Sequence, residues 1–214
     1  MKNFKFLSLI AMALLTIGLL ASCGQDTKDV TVTENDNEQK AEKEEAGSSE
    51  ETKKEEGPKL GSRSNPIPFQ STATVDDEMY DDKGEAYPIK FDLTVVEVVR
   101  GEDAYQLLLG MNQFNEAAPE GYEWVLAKTK VAFKESATED LAFFIDGIMN
   151  FEMVSESGDI YSGDLYATTD PDFSFEMYVG SEKEGYIGGL VKAGEKAQLR
   201  YEQLLDGQVF FNLE

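Results

Sequence analysis

The sequence predicts a mainly β protein, an antiparallel sandwich with one short helix. Three observations carry that prediction. Over residues 87–100, Ile89, Phe91, Leu93 and Val95 alternate with Lys90, Asp92 and Thr94, which is the period of a half-buried strand. Residues 122–133 repeat the pattern, with Val125, Ala127, Thr129, Val131 and Phe133 on one face. Beyond them lie short apolar runs at near-regular spacing, separated by Gly, Asp and Ser, and nowhere does a βαβ pattern appear.

The first element is a leader. Lys2 and Lys5 precede an apolar run over residues 6–21, and small residues close it. That is the secretory pattern, so residues 1–22 are expected to be a cleaved signal peptide. The run falls short of the ~20 residues a membrane-crossing helix needs. It ends in Leu20-Ala21-Ser22-Cys23, which resembles the lipobox of bacterial lipoproteins. Cys23 is the single cysteine of the chain, so no disulfide framework competes for it. The resemblance implies a diacylglyceryl group on the Cys23 sulfur and a mature chain that begins there. The lipid bilayer is then a partner through Cys23, and the location is the extracellular face of the cell membrane. Two acyl chains suffice for stable anchoring, where one holds only weakly.

Residues 23–57 form the second element, the lipidated cysteine and an acidic linker. Apart from Val30 and Val32 the linker is almost devoid of apolar side chains. Such a segment cannot bury enough surface to offset its ordering entropy, and disorder is expected. Residues 58–214 are the third element, one folded domain. Residues 1–57 hold seven basic and twelve acidic side chains, so about −18 of the chain's −23 belongs to the domain. That charge excludes nucleic acid as a partner, because phosphate binding needs clustered Lys and Arg. It favours cations or a basic partner.

Within the domain, the strand over 87–100 turns apolar on both faces at Val95-Val96, as at a sheet centre or a bulge. Residues 102–114 place Tyr105, Leu108, Leu109 and Met111 at helical spacing, a short helix that would plug one end of the sandwich. The strand over 122–133 carries Trp124 and Leu126 opposite its main apolar face, so it is expected to be central and covered on both sides at its start. Residues 147–154 and 160–161 flank Ser155-Glu156-Ser157-Gly158-Asp159, the signal of a hairpin. Phe173, Phe175 and Met177 alternate again. Residues 185–191, 197–203 and 208–213 close the chain as three short strands.

These residues resemble a known family. The run Gly61-Ser62-Arg63-Ser64-Asn65-Pro66-Ile67-Pro68, the strand end Val98-Val99-Arg100-Gly101, the lead-in Gly121-Tyr122-Glu123-Trp124 and the late Leu199-Arg200-Tyr201 carry the likeness. Together they look like an immunoglobulin-like domain of unknown function found in lipoproteins of Gram-positive bacteria. The resemblance implies an immunoglobulin-like β-sandwich and implies no catalytic residues. The aspartate-rich stretch from Asp76 to Asp82 departs from the family pattern and leaves the first strand pairing open.

The chain contains no histidine, which removes Ser-His-Asp and Cys-His nucleophiles and His-bearing zinc sites. A carboxylate enzyme needs two acids across a cleft, and acidic abundance alone does not supply that geometry. The expectation is a non-enzyme without cofactors. Asp76, Asp77, Glu78, Asp81 and Asp82 are the candidate ligands for Ca²⁺, since hard oxygens in a loop can hold it. Their spacing misses the EF-hand pattern, and a solvated acidic loop is the preferred reading. Asp164, Asp170 and Asp172 beside Pro171 read as a turn. The late aromatics, Tyr161, Tyr166, Phe173, Phe175, Tyr178 and Tyr186, are expected mainly in the core, with Tyr166 and Tyr178 as exposed binding candidates. Trp124 is read as core, with a binding anchor on a solvated face as the competing role. The function expected is a tethered binding module that presents a sheet face or edge to an envelope protein or wall polymer. The alternative is a calcium or small-ligand domain.

Overall fold

A computed structural model describes residues 30–33, 58–202 and 207–214. The leader, Cys23 and most of the expected linker lie outside the described residues. Among the described residues, ten strands and one helix follow in order. They are β1 (Val30–Thr33), β2 (Thr72–Tyr80), β3 (Ala86–Arg100), α1 (Gly101–Met111), β4 (Tyr122–Ser136), β5 (Phe143–Asp146), β6 (Phe151–Ser155), β7 (Ser174–Met177), β8 (Glu182–Lys192), β9 (Ala197–Glu202) and β10 (Gln208–Asn212). One layer is an antiparallel sheet in the order β1-β2-β3-β4-β8, and the other combines β10-β9-β6 with the ribbon β5-β7. Between them Val75, Phe91, Leu93, Val125 and Phe133 of the first layer meet Ile145, Phe151, Met153, Leu199 and Phe211 of the second. The mainly β antiparallel architecture with one helix is therefore as predicted.

Alternation makes the central strands. Ile89, Phe91, Leu93 and Val95 of β3 are all buried on the inner face. The register of β3 on β4 shifts between Val95 and Glu97, a bulge at the place where the alternation breaks. β4 lies between β3 and β8, and both its faces are apolar at its start. Its outward Trp124 and Leu126 form a second cluster with Leu190 of β8 and with Ala104 and Leu108 of α1. The helix thus covers the outer face of the large sheet, where an end plug was expected. The reason is the apolar stripe Trp124-Leu126-Leu190, which needs a cover more than the sandwich end does. Gly101 opens α1 at φ +66, a left-handed backbone that a side chain would strain. The helix stops at Met111, where the Asn112 N–H and the Asn115 amide both bond to the Leu108 carbonyl.

Three expectations are corrected. Asp76 to Tyr80 belong to β2, paired residue by residue with β3 from Asp76 opposite Lys90 to Tyr80 opposite Ala86. The loop expected there is reduced to the turn after Tyr80. The hairpin across 155–159 does not form. The turn closes, with Ser155 N–H bonded to the Asp159 carbonyl at 2.9 Å, but β6 takes β9 as its partner. Lastly, Val30–Thr33, inside the expected linker, pairs with β2 as an edge strand, Val30 opposite Val75 and Thr33 opposite Thr72. Half-buried Val32 packs on the core there.

The glycines of β8 allow the layers to close at its edge. A β-carbon on Gly185 would lie 2.6 Å from the Asp172 carbonyl oxygen, and one on Gly189 would lie 2.5 Å from Met153 Cγ. Both distances are shorter than any tolerable contact, so β6 and residues 160–173 can approach only bare backbone.

Candidate functional site

A groove of about 230 Å³ runs along the edge of β8 that faces away from β4. β6 forms one wall, with Phe151, Glu152 and Met153. Residues 160–166 form the other, with Ile160, Tyr161, Leu165 and Tyr166. Trp124, Gly188, Gly189 and Leu190 make the floor, and Ile148 stands at the mouth.

Local structure holds these groups in place. Asp146 accepts hydrogen bonds from the N–H groups of Ile148 (2.9 Å) and Met149 (3.0 Å). Asn150 closes the same turn, its side-chain oxygen accepting from the Asp146 N–H at 2.9 Å. The turn therefore presents Ile148 and Met149 outward, 64% and 70% exposed. Burial alone would raise the Asp146 pKa, but the bonds from Ser174, Ile148 and Met149 more than offset it and hold the carboxyl below its ordinary value. On the other wall Tyr161 packs edge-on against Tyr122 at 5.2 Å, and the Tyr122 hydroxyl donates to Asp159 at 2.9 Å. Glu152 is the groove's carboxylate, and it pairs with Arg200, which also holds Glu202 at 2.8 Å.

A larger depression of about 580 Å³ lies by Arg63, Lys196, Gln198 and Phe210. Its polar groups are engaged with one another. Arg63 donates to the Glu156 carbonyl, Gln198 donates to the Arg63 carbonyl, and Lys196 lies 3.8 Å from Glu214. The smaller groove is the stronger candidate because its rim is apolar and turned to solvent.

The binding candidates from the sequence separate. Trp124 and Tyr166 come together in the groove. Tyr166 is an exposed rim residue, whereas Trp124 is 1% exposed and its indole N–H donates to the Glu116 carbonyl at 2.9 Å. Trp124 is thus a core residue beneath the groove, and the solvated-face role is corrected. Tyr178 is exposed but remote. It adjoins Gly180, whose N–H bonds to the Phe133 carbonyl, and Phe133 lies roughly 30 Å along β4 from Trp124 at the rise of a strand.

The five acidic residues do not gather. Asp76 pairs with Lys90 at 3.2 Å, and Glu78 accepts from the Tyr80 hydroxyl at 2.9 Å. Asp77 accepts from the buried Tyr201 hydroxyl at 2.7 Å. Burial first, and then the Asp77 charge and hydrogen bond, push the Tyr201 pKa well above its ordinary value. Asp81 caps the turn by accepting from the N–H groups of Lys83 (2.9 Å) and Glu85 (2.8 Å). Exposed Asp82 sits in that turn. Calcium needs 6–8 converging oxygens, and among the described residues no three acidic side chains are grouped to hold a metal. Strand alternation is the reason, since it sends successive carboxylates to opposite faces. Sequence reasoning missed Ile148 and Met149. The available signal was two bulky apolar residues framed by the turn formers Asp146, Gly147 and Asn150.

No protein-family model matches the chain, and no curated protein is significantly similar to it. Among solved structures, the crystal structure of ycdA, a candidate lipoprotein of Bacillus subtilis, is similar with a TM-score of 0.38 and 14% identity. That match covers 65% of this chain, which spans only 39% of the other.

Proposed function

We propose that the chain is a lipid-anchored protein of the outer face of a bacterial cell membrane, with an immunoglobulin-like sandwich that serves as a non-catalytic binding module. Its partner is an envelope protein or wall polymer, and the groove beside β8 is where it docks. One observation carries the binding half. Among the exposed large apolar side chains of the described residues, Ile148, Ile160 and Tyr166 line this one groove, and Met149 adjoins it. Exposed apolar surface concentrated in this way marks an interaction site. The lipobox-like Leu20-Ala21-Ser22-Cys23 supports the anchor. The absence of histidine supports a non-catalytic role, as does the pairing of Glu152 with Arg200, where a glycosidase needs two facing acids.

The test is a pull-down from cell envelopes with the wild-type chain and with an Ile148→Asp/Tyr166→Ser variant, each with and without chelator. Wild type should retain a partner that the variant loses, and the chelator should change nothing. Equal retention by the variant would remove the groove from the reading, and loss on chelation would restore a calcium role. For the anchor, Cys23→Ser should move the protein from the membrane fraction to the medium or leave its leader uncleaved. Mature Cys23→Ser protein that still pellets with membranes would refute it.

A further inference from the structure

The depression of about 580 Å³ by Arg63 and Lys196 shares no residue with the groove. It lies on the outer face of β9 and β10. Leu199 and Phe211 belong to the core, so alternation turns Gln198, Phe210 and Asn212 outward. Gln198 stands opposite Asn212 across the ladder. Residues 61–67 run over this face and are clipped to β10 at both ends. The Phe210 N–H donates to the Gly61 carbonyl and the Ile67 N–H to the Phe210 carbonyl, each at 2.8 Å.

That loop carries Arg63. Its guanidinium donates to the Glu156 carbonyl at 2.9 Å. It lies against the bare backbone of Gly158, where a β-carbon would come within 3.1 Å of Nη2. The Gln198 amide donates to the Arg63 carbonyl at 3.0 Å. The group is held in place, yet its charge is not compensated. Of the chain's three arginines, Arg100 holds Glu123 and Glu214, and Arg200 holds Glu152 and Glu202. Among the described residues Arg63 pairs with no carboxylate. In a chain of 42 acidic and 19 basic side chains, composition works against such an arginine. Glu156, the one acid among the lining residues, turns its carbonyl to the guanidinium. One of the five guanidinium N–H donors is thereby used. Lys196 adds a second cation, 3.8 Å from a Glu214 that Arg100 already holds at 3.0 Å. Salt screens exposed charges beyond ~8 Å, so Arg63 and Lys196 set the local field despite the acidity of the domain.

We propose that this depression binds a small oxyanion bearing hydroxyl groups, a sugar or polyol that carries a phosphate or a carboxylate. The fixed Arg63 fork takes two oxygens of the anion, and Lys196 supplies a point charge beside it. Gln198, Gln208 and Asn212 line the same space, and each amide offers the donor and the acceptor that a hydroxyl requires. Phe210 gives the carbon skeleton an apolar floor. The volume falls within the ~300–1,000 Å³ of small-molecule sites. A long polyanion is disfavoured, because its further charges would meet the acidic surface.

The full chain, solubilised in detergent at about 0.15 M salt, is titrated with glucose 6-phosphate, with glucuronate and with glucose. The side-chain Nε–H signals of its three arginines are followed by NMR. The Arg63 signal should move with an anionic sugar, while those of Arg100 and Arg200 stay. Movement with glucose 6-phosphate alone identifies a phosphate ligand, and movement with glucuronate alone a carboxylate. Glucose should move nothing. By calorimetry, Arg63→Gln should weaken binding by about tenfold or more. Lys183→Gln removes the same charge from an exposed site on β8 and should leave binding within about twofold. An Arg63 signal that neither anion moves at millimolar concentration would overturn the proposal. So would an equal response to glucose, or equal weakening by the two substitutions.

Discussion

Trp124→Ala tests the packing on which the groove stands. The side chain is 1% exposed and sits with Leu126, Leu190, Ala104 and Leu108, so its loss empties the space between β4 and α1. Large-to-small changes of this kind cost ~3–5 kcal/mol. The bond from the indole N–H to the Glu116 carbonyl goes too, worth ~0.5–1.5 kcal/mol. Glu116 is exposed, so water replaces the lost donor and the lower end of that range applies. The sum, about 4 kcal/mol, is a large share of the ~5–15 kcal/mol that holds a domain folded. Trp124→Phe keeps most of the apolar contact and should cost only ~1–2 kcal/mol. Urea unfolding followed by far-UV circular dichroism measures both. With a slope of ~2 kcal/mol per molar, Trp124→Ala should lower the midpoint by about 2 M. Wild-type emission should be blue-shifted, as for a dry indole. An unchanged midpoint for Trp124→Ala together with red wild-type emission would refute the argument.

Three further outcomes follow from the geometry. Gly185→Ala drives a β-carbon to within 2.6 Å of the Asp172 carbonyl oxygen; it should cost ~1–3 kcal/mol in the same urea assay, and a midpoint equal to wild type would show that residues 170–173 yield freely. Burial would raise the Glu123 pKa, but hydrogen bonds from the Gly194 N–H and Arg100, with the Arg100 charge, bring it below its ordinary value. Its contribution is therefore present above the unfolded pKa of ~4.3 and lost as pH falls through the lower folded value, so Glu123→Gln should flatten the acid limb of the stability curve, and an acid limb that matches wild type would contradict this. Tyr201 has the opposite sign: raised by burial and then by Asp77, it contributes fully below the unfolded pKa of ~10 and loses that contribution as pH rises toward the folded value. Alkaline titration of stability should then show a steeper loss for wild type than for Tyr201→Phe, and parallel curves would count against the assignment.

Alternation is a local property, and it alone determined much of this protein. β3, β4, β9 and β10 each repeat apolar residues at every second position, so their existence was legible from the sequence without knowledge of any partner, and the short run 185–191 marked β8. The break in alternation at Val95-Val96 was legible for the same reason, as a sheet centre or a bulge, and the register of β3 on β4 makes it a bulge. Pairing is not local, and tertiary structure decided it. Asp76-Asp77-Glu78 reads as a loop by charge, yet it runs as a strand because Lys90 faces Asp76 across the ladder and Tyr201 donates to Asp77 from the other sheet. β6 was expected to fold back across 155–159. It pairs with β9 instead, because Leu199 and Tyr201 offer it a buried apolar partner, whereas Ile160 and Tyr161 turn to the opposite wall of the groove. Val30 and Val32 stood out as apolar in an acidic stretch, but four residues are too few for a period to outweigh composition, and only the free edge of β2 makes a strand of them. The groove itself is the least legible feature. It forms where glycines of β8 let β6 and residues 160–173 close in without completing the hydrogen bonds between them, a relation among three segments that no single stretch of sequence encodes.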